Sequence, residues 1–373
     1  MNTARRASIE QALQDLLASL GTHPQAHLIT QALRRIIQMS ETTDLERLDW
    51  KILNRTLEDM HRAWHAFAPY QCRRKITLFG SARTPPGSEI YQHALEFSRR
   101  IAEAGFMVMT GAGGGVMEAG NAGAGTEHSF GLNIDLPFEQ SANPFIRDDQ
   151  KLVDFKYFFT RKLFFLKETD ALVLFPGGLG TQDECFECLT LIQTGKTTPL
   201  PVVLIDAPGG DYWQQWDQYI RSQLLGRGFI SPDDVNLYSV TDDIDVACQH
   251  ISHFYRIYHS SRYVGSDLVI RLNQELSDAW LERLNEEFTD IIQTGRIIKS
   301  AALPVEQKDE TYLLPRLVMA FDRHHFGRLR QLIDAINDYE YEHPTKDEPA
   351  IDNTIDPALR LNVSQAGGSP VVE

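Results

Sequence analysis

From Lys75 onward the chain alternates short runs that are apolar at nearly every position with longer runs of helical character. The short runs are ITLF (76–79), FMVMT (106–110), FGLNI (130–134), ALVLF (171–175), VVLID (202–206) and NLYSV (236–240). A strand with one wet face shows a polar residue at every second position. These runs do not, so they must be covered on both faces, as strands of a parallel sheet are. Segments of helical length separate most of them, and that order predicts a doubly wound, Rossmann-like parallel sheet with right-handed crossovers over residues 71–260.

The flanks have other rhythms. Residues 1–70 predict a helical extension, with Ile9, Leu13, Leu16, Leu17 and Leu20 at helical spacing, then Leu28, Ile29, Leu33, Ile36 and Ile37, then an aromatic-rich run from Trp50 to Phe67. Residues 265–340 predict a small α+β domain of βαββα order. DLVIRL reads as a strand, Ser277 caps a helix carrying Trp280, Leu281, Leu284, Phe288 and Ile291, RIIKSAAL and YLLPRLVMAF form a hairpin, and a last helix covers about 325–339. The polar, aperiodic segment 341–373 predicts disorder.

At 373 residues the chain exceeds one average domain, and its net charge of −15 repels nucleic-acid polymers and anionic membranes. A mononucleotide stays admissible, because a local positive pocket suffices to bind it. No apolar run approaches the roughly 18 residues of a spanning helix. The N-terminal stretch has Glu and Gln inside its apolar pattern, unlike a signal peptide. Four cysteines, Cys72, Cys185, Cys188 and Cys248, suit a reducing compartment, and the expectation is a cytoplasmic protein. Cys185 and Cys188 fall within a predicted helix with no second pair to complete a zinc site, so they read as two packed thiols.

Ligands of open parallel sheets bind beyond the carboxyl ends of the strands, and three such ends carry unusual loops. FGSAR (79–83) offers Gly80 for close approach and the Ser81 hydroxyl for a phosphate, although a capped turn uses the same residues. TGAGGGVMEAGNAGAG (110–125) sets Gly111, Gly113, Gly114 and Gly115 between a strand and a helix start, where backbone N–H groups attract anions. That loop also admits an NAD reading, with Asp135 about twenty residues on as the ribose acid, but Val116 stands where the third glycine belongs.

The third loop, PGGLGTQDECFE (176–187), is the most specific. Gly177, Gly178 and Gly180 permit a tight loop, Thr181 is placed to cap the next helix, and Asp183 and Glu184 are expected in its first turn. A carboxylate there satisfies the helix dipole; Glu184 facing a ligand is the functional alternative. Upstream, Arg161 and Lys162 interrupt a run of phenylalanines and leucines, either as a snorkelling pair or with Arg161 facing an anion.

Together these residues resemble the LOG family, once described as lysine decarboxylases. Its pattern PGGxGTxxE is matched without departure at 176–184, its Arg-Lys pair by Arg161 and Lys162, and its two other glycine loops at 80–83 and 113–121. The resemblance covers roughly residues 75–258. It implies a Rossmann-like fold and hydrolysis of the N-glycosidic bond of nucleoside 5′-monophosphates to free base and ribose 5-phosphate, with a cytokinin-activating role among the family's variants. It implies Arg161 and Glu184 as catalytic residues, and Gly177, Gly178, Gly180 and Thr181 as 5′-phosphate contacts. It also implies a homodimer or larger assembly with the site near the subunit interface. No pyridoxal-phosphate lysine motif supports the older label.

The reaction builds positive charge on the ribose, as glycoside cleavage does. A carboxylate beside the anomeric carbon stabilises that charge and orients or deprotonates water, and Glu184 fits that role. Gly80, Ser81, Gly113, Gly114 and Gly115 complete the expected phosphate or ribose contacts. Glu118, Asn121 and Lys162 are candidate contacts to substrate, with an exposed helix face as the alternative for the first two. Neither metal nor cofactor is required. Two other readings compete: a non-catalytic nucleotide or cofactor carrier or sensor on the same fold, and an NAD-dependent oxidoreductase. The 265–340 domain suggests a small effector by analogy alone.

Overall fold

The computed structural model describes residues 3–19, 21, 23–42, 44–136, 141–306 and 311–342. The expectation of disorder from 341 on lies outside them, save for two residues that end the last helix. The chain divides into two compact units, Met1–Glu58 and Asp59–Glu373. The first holds α1 (Thr3–Ser19), α2 (Ala26–Thr42) and the opening of α3 (Arg47–Phe67). Within it Leu13 is buried and Arg34 reaches Glu10 at 2.9 Å.

The second unit begins with the end of α3 and continues through β1 (Lys75–Phe79), α4 (Glu89–Glu103), β2 (Met107–Thr110), α5 (Val116–Ala124), β3 (Ser129–Ile134), β4 (Leu152–Phe155), α6 (Phe158–Glu168), β5 (Ala171–Leu174), α7 (Leu179–Gln193), β6 (Val202–Ile205), α8 (Tyr212–Tyr219), β7 (Ser239–Thr241) and α9 (Ile244–Phe254). All seven strands run parallel in the order β4-β3-β2-β1-β5-β6-β7. The chain starts at the centre, winds outward to β4, then returns to β5 on the other side of β1. The order therefore reverses between β1 and β5, and a doubly wound sheet opens its binding crevice at such a reversal.

Strand alternation sorts the core into two layers. Ile76, Leu78, Val108 and Val173 face one side with residues of α4, α5 and α9. Phe79, Met107, Met109, Leu172 and Leu174 face the other, with α6, α7, Trp213 of α8 and the last turns of α3. Central β1, β2, β5 and β6 are buried throughout, as their continuous apolar runs predict. Two parts of the sequence reading needed correction. β4 carries Asp154 on an exposed edge and does not read as an apolar run. The run NLYSV begins as a 3-10 turn (Pro232–Leu237), and β7 starts only at Ser239.

A second, antiparallel sheet follows in the order β10-β11-β9-β8, built from β8 (Tyr258–Val264), β9 (Asp267–Leu272), β10 (Ile292–Ser300) and β11 (Arg316–Phe321), with α10 (Asp278–Glu287) and α11 (Phe326–Glu342). Ser277 caps α10, accepting from the Trp280 amide at 3.2 Å. β8 is absent from the sequence reading. It pairs with β9 across a two-residue turn at Gly265 (φ 62) and Ser266. Its residues His259, Ser260 and Ser261 look solvated in sequence yet are buried, because this strand meets a buried ion pair. Arg74 and Asp170 stand 3.3 Å apart there, and Arg74 also donates to the His259 carbonyl at 3.1 Å. The two sheets share one apolar cluster, from Ile76 of β1 to Ile336 of α11.

Candidate functional site

Four strand ends, those of β1, β2, β3 and β5, build a cavity of about 690 Å3 at the reversal between β1 and β5. After β1, the Ser81 amide donates to the Pro176 carbonyl at 3.1 Å, tying this loop to the one after β5. The Ser81 carbonyl accepts from the Val116 amide at 3.1 Å, tying it to the start of α5. Such close backbone packing leaves no room for side chains. A Cβ on Gly115 (φ 65) would overlap the Ser81 carbonyl, and one on Gly80 would stand 2.7 Å from the Val116 methyls. Gly80, Ser81, Ala82, Arg83 and Gly111 line the cavity, with Met117 from α5 and Asn133, Ile134 and Leu136 at and beyond the end of β3.

Helix α7 supplies the opposite wall through Gly178, Leu179, Gly180, Thr181, Asp183 and Glu184. The N–H groups of a first helical turn have no acceptor within the helix and attract anions. Gly178, not Thr181, is the N-cap, so Asp183 and Glu184 belong to the second turn, one turn later than expected. That places Glu184 three residues from Thr181, on the same helical face.

Helix α6 brings Arg161. Asp59 of α3 fixes this helix start, its carboxylate accepting from the Lys156 amide at 2.9 Å and the Thr160 hydroxyl at 3.0 Å. The Arg161 guanidinium is buried; its Nε donates to the Leu132 carbonyl at 2.7 Å and its Nη2 to the Gly111 carbonyl at 3.4 Å. Burial pulls its pKa down to about 10 against the pull of Glu184. Burial pushes Glu184 up to about 7, while Lys162 and Arg161 pull the other way. Desolvation therefore dominates both partners, and at neutral pH the site holds a cation beside a carboxylate poised to take or release a proton. Lys162 does not line the cavity. Its ammonium lies 2.6 Å from Asp183, 2.6 Å from Glu187 and 3.8 Å from Glu184.

The structure thus brings together Gly80, Ser81, Arg161, Gly178, Gly180, Thr181 and Glu184 around one cavity. It does not bring Gly113, Gly114, Gly115, Gly177, Glu118, Asn121 or Lys162 to its surface. Asn121 is fully buried, accepting from Thr110 (2.8 Å) and Asn143 (2.9 Å) and donating to the Phe130 carbonyl (3.3 Å). Glu118 accepts from the Tyr91 hydroxyl at 3.1 Å. Asp135, the ribose acid of the NAD reading, pairs with Lys156 at 2.5 Å and does not line the cavity. The glycine loop of that reading also follows β2, whereas a dinucleotide fingerprint follows the first strand. Met117, Asn133, Leu136 and Phe158 were missed; each comes from an element whose apolar or turn pattern explains it without a ligand.

Among the described residues no group of three or more His, Cys, Asp or Glu side chains is placed to hold a metal ion, and no helix is long and apolar enough to cross a membrane. A larger cavity of about 1000 Å3 opens at the end of the second sheet, but its charges answer one another. Lys299 there pairs with Asp278 (2.6 Å) and Glu275 (3.3 Å), and Arg316 with Glu306 (2.9 Å).

Fold and site together define a doubly wound α/β protein with a cavity at its topological switch point, lined by Arg161, Glu184 and the opening turn of α7. A family model described as possible lysine decarboxylase matches residues 109–251. A cytokinin riboside 5′-monophosphate phosphoribohydrolase of Mycobacterium tuberculosis is 27% identical over 169 residues, spanning 44% of this chain and 86% of that protein. The matched segment is thus similar to the LOG family. Among solved structures, the molybdenum cofactor binding protein of Rippkaea orientalis matches at 17% identity and a TM-score of 0.36, over 48% of this chain and 95% of that one. The Moco carrier protein of Chlamydomonas reinhardtii matches at 21% identity and a TM-score of 0.34, with the same coverage.

Proposed function

We propose that this protein hydrolyses the N-glycosidic bond of nucleoside 5′-monophosphates, releasing a free base and ribose 5-phosphate. The observation that carries the reading is one cavity walled by a buried arginine, a buried carboxylate with a pKa pushed up to about 7, and the opening turn of a helix. The turn at Gly178–Thr181, with Ser81 opposite, takes the phosphate. Glu184 then faces the ribose. As the C1′–N bond breaks, its electron pair leaves with the base and positive charge grows on the sugar, which the ionised carboxylate stabilises. Glu184 takes a proton from the water that attacks C1′ and that proton passes to the departing base, so the carboxylate is regenerated and the base leaves neutral. A general base works best with a pKa near the operating pH, which suits this carboxylate. Arg161 holds the anionic substrate within the same walls.

Assembly as a homodimer or larger belongs to the same reading. Phe158 and Leu179 stand 54% and 90% exposed at the cavity wall and favour a covered face. A monomeric sedimentation coefficient at micromolar concentration refutes that part.

The test is a panel of nucleoside 5′-monophosphates assayed for base and ribose 5-phosphate, with Glu184→Gln as control. Release by the wild type and not by the variant is expected. A wild type that binds nucleotides but releases nothing overturns the hydrolase and favours a carrier.

A further inference from the structure

Tyr212 opens α8, beyond the end of β6, and does not line the cavity. Its half-buried hydroxyl nevertheless touches both parts of the anion-binding wall. It donates to the Gly177 carbonyl at 2.6 Å and accepts from the Gln182 side-chain amide at 2.8 Å. Gly177 lies in the loop after β5, and Gln182 in the opening of α7. The ring is pinned edge-on to buried Trp213, with centroids 4.8 Å apart at 89°.

A trans peptide is planar, with its carbonyl and its N–H pointing in opposite directions, and the described chain has no cis bond. Holding the Gly177 carbonyl therefore fixes the direction of the Gly178 N–H. Tyr212, which does not line the cavity, holds the carbonyl, and the opposed N–H belongs to Gly178, which does line it. Without that hold, two consecutive glycines offer the peptide a low barrier to rotation, because neither has a Cβ to restrict it. The flipped peptide would present a carbonyl oxygen where an anion belongs.

We infer that Tyr212 is a positioning residue for the phosphate-binding loop: it locks the Gly177–Gly178 peptide with its N–H facing the ligand and sets the preference for a 5′-phosphorylated substrate. This rests on the reading of the cavity as a nucleoside monophosphate site.

The test is Tyr212→Phe, which removes one oxygen and keeps the ring, with Gln182→Met as the companion that removes the hydroxyl's other partner. Two readouts apply to the full chain. The first is binding of inorganic phosphate by calorimetry, which needs no turnover. The second is hydrolysis of AMP against adenosine. The Phe variant is expected to weaken phosphate binding about tenfold, the upper range for one net hydrogen bond. KM for AMP should rise by the same factor, with kcat and the adenosine rate within about twofold of wild type. Gln182→Met should shift the same quantities by less. A general packing defect would lower the AMP and adenosine rates alike. Unchanged phosphate binding in Tyr212→Phe, or equal losses with both substrates, overturns the inference. A wild type that binds phosphate tightly but hydrolyses nothing would remove the proposed reaction while leaving the Tyr212 comparison decisive.

Discussion

The pKa of Glu184 makes a prediction about stability that needs no substrate. Burial pushes this carboxyl from an ordinary value of 4.5 up to about 7. Each tenfold change in acidity is worth about 1.4 kcal/mol, so the displacement corresponds to about 3 kcal/mol. The side chain is only 9% exposed, so solvent screens little of this. The sign follows from proton counting. Between pH 4.5 and 7 the folded state keeps a proton that the unfolded state has released, so stability falls as pH rises through this window and levels off above it. Glu184→Gln has no such proton to lose. Relative to the variant, the wild type should therefore lose about 3 kcal/mol between pH 4 and pH 8, a widening gap on the order of 5 °C in melting temperature. Paired thermal melts at half-unit pH steps would resolve it. A gap that stays flat would show that Glu184 is not held in a desolvated site. A gap that closes with rising pH would mean that Arg161 and Lys162 dominate and the carboxyl titrates low. The same group should control turnover, with kcat/KM rising through about pH 7 as the carboxylate forms.

Two further substitutions separate structural from functional residues. Gly177→Ala should leave the protein folded but raise KM for a nucleoside monophosphate at least tenfold, because the added Cβ overlaps Thr181 Oγ1 and also lies 3.1 Å from the Gly80 backbone; wild-type KM would show that the loop can shift without consequence. Asn121→Ala should cost roughly 1–3 kcal/mol in urea unfolding, by stripping the buried Thr110, Asn143 and Phe130 groups of a shared partner, with activity per folded molecule retained; lost activity at unchanged stability would return Asn121 to the substrate.

Legibility in the sequence followed burial. The central strands could be read because both faces are dry, so only the buried Thr77 interrupts ITLF and nothing polar interrupts ALVLF. β4 and β8 could not, for opposite reasons: Asp154 faces out from a sheet edge, while Ser260 and Ser261 of β8 are buried in a strand whose His259 carbonyl accepts from Arg74. In the site, Gly178 and Gly180, expected as phosphate contacts, line the cavity from a loop that their own residues fix. Arg161 and Glu184 stood out because charges are rare among so many apolar neighbours. The sequence does not say which way a helix turns: Arg161, expected to face an anion, lines the cavity, while Lys162, a candidate substrate contact, does not. Nor does it say which glycines serve a ligand. Gly115 serves the Ser81 carbonyl instead, a backbone contact with no side-chain signature.

The second sheet bears on the site through the helix that carries Glu184. α7 is braced near its start by the Tyr212 hydroxyl and at its far end by α11. There Gly195 (φ 68) lies so close to Phe326 that a Cβ would overlap the ring, and Gly327 packs on the Asp233 carbonyl with equal closeness. Gln193 also donates to Asp234 at 2.6 Å, which ties the last turn of α7 to the same 3-10 segment that α11 packs on. A helix of 15 residues is about 22 Å long and nearly incompressible along its axis. Its two ends are thus fixed by different sheets with no slack between. A shift of about 1 Å in α11 would be passed along α7 rather than absorbed, and displacements of that size change rates by about a hundredfold when they move a reacting group. The packing of α11 on the far end of α7 thus bears on where Glu184 stands.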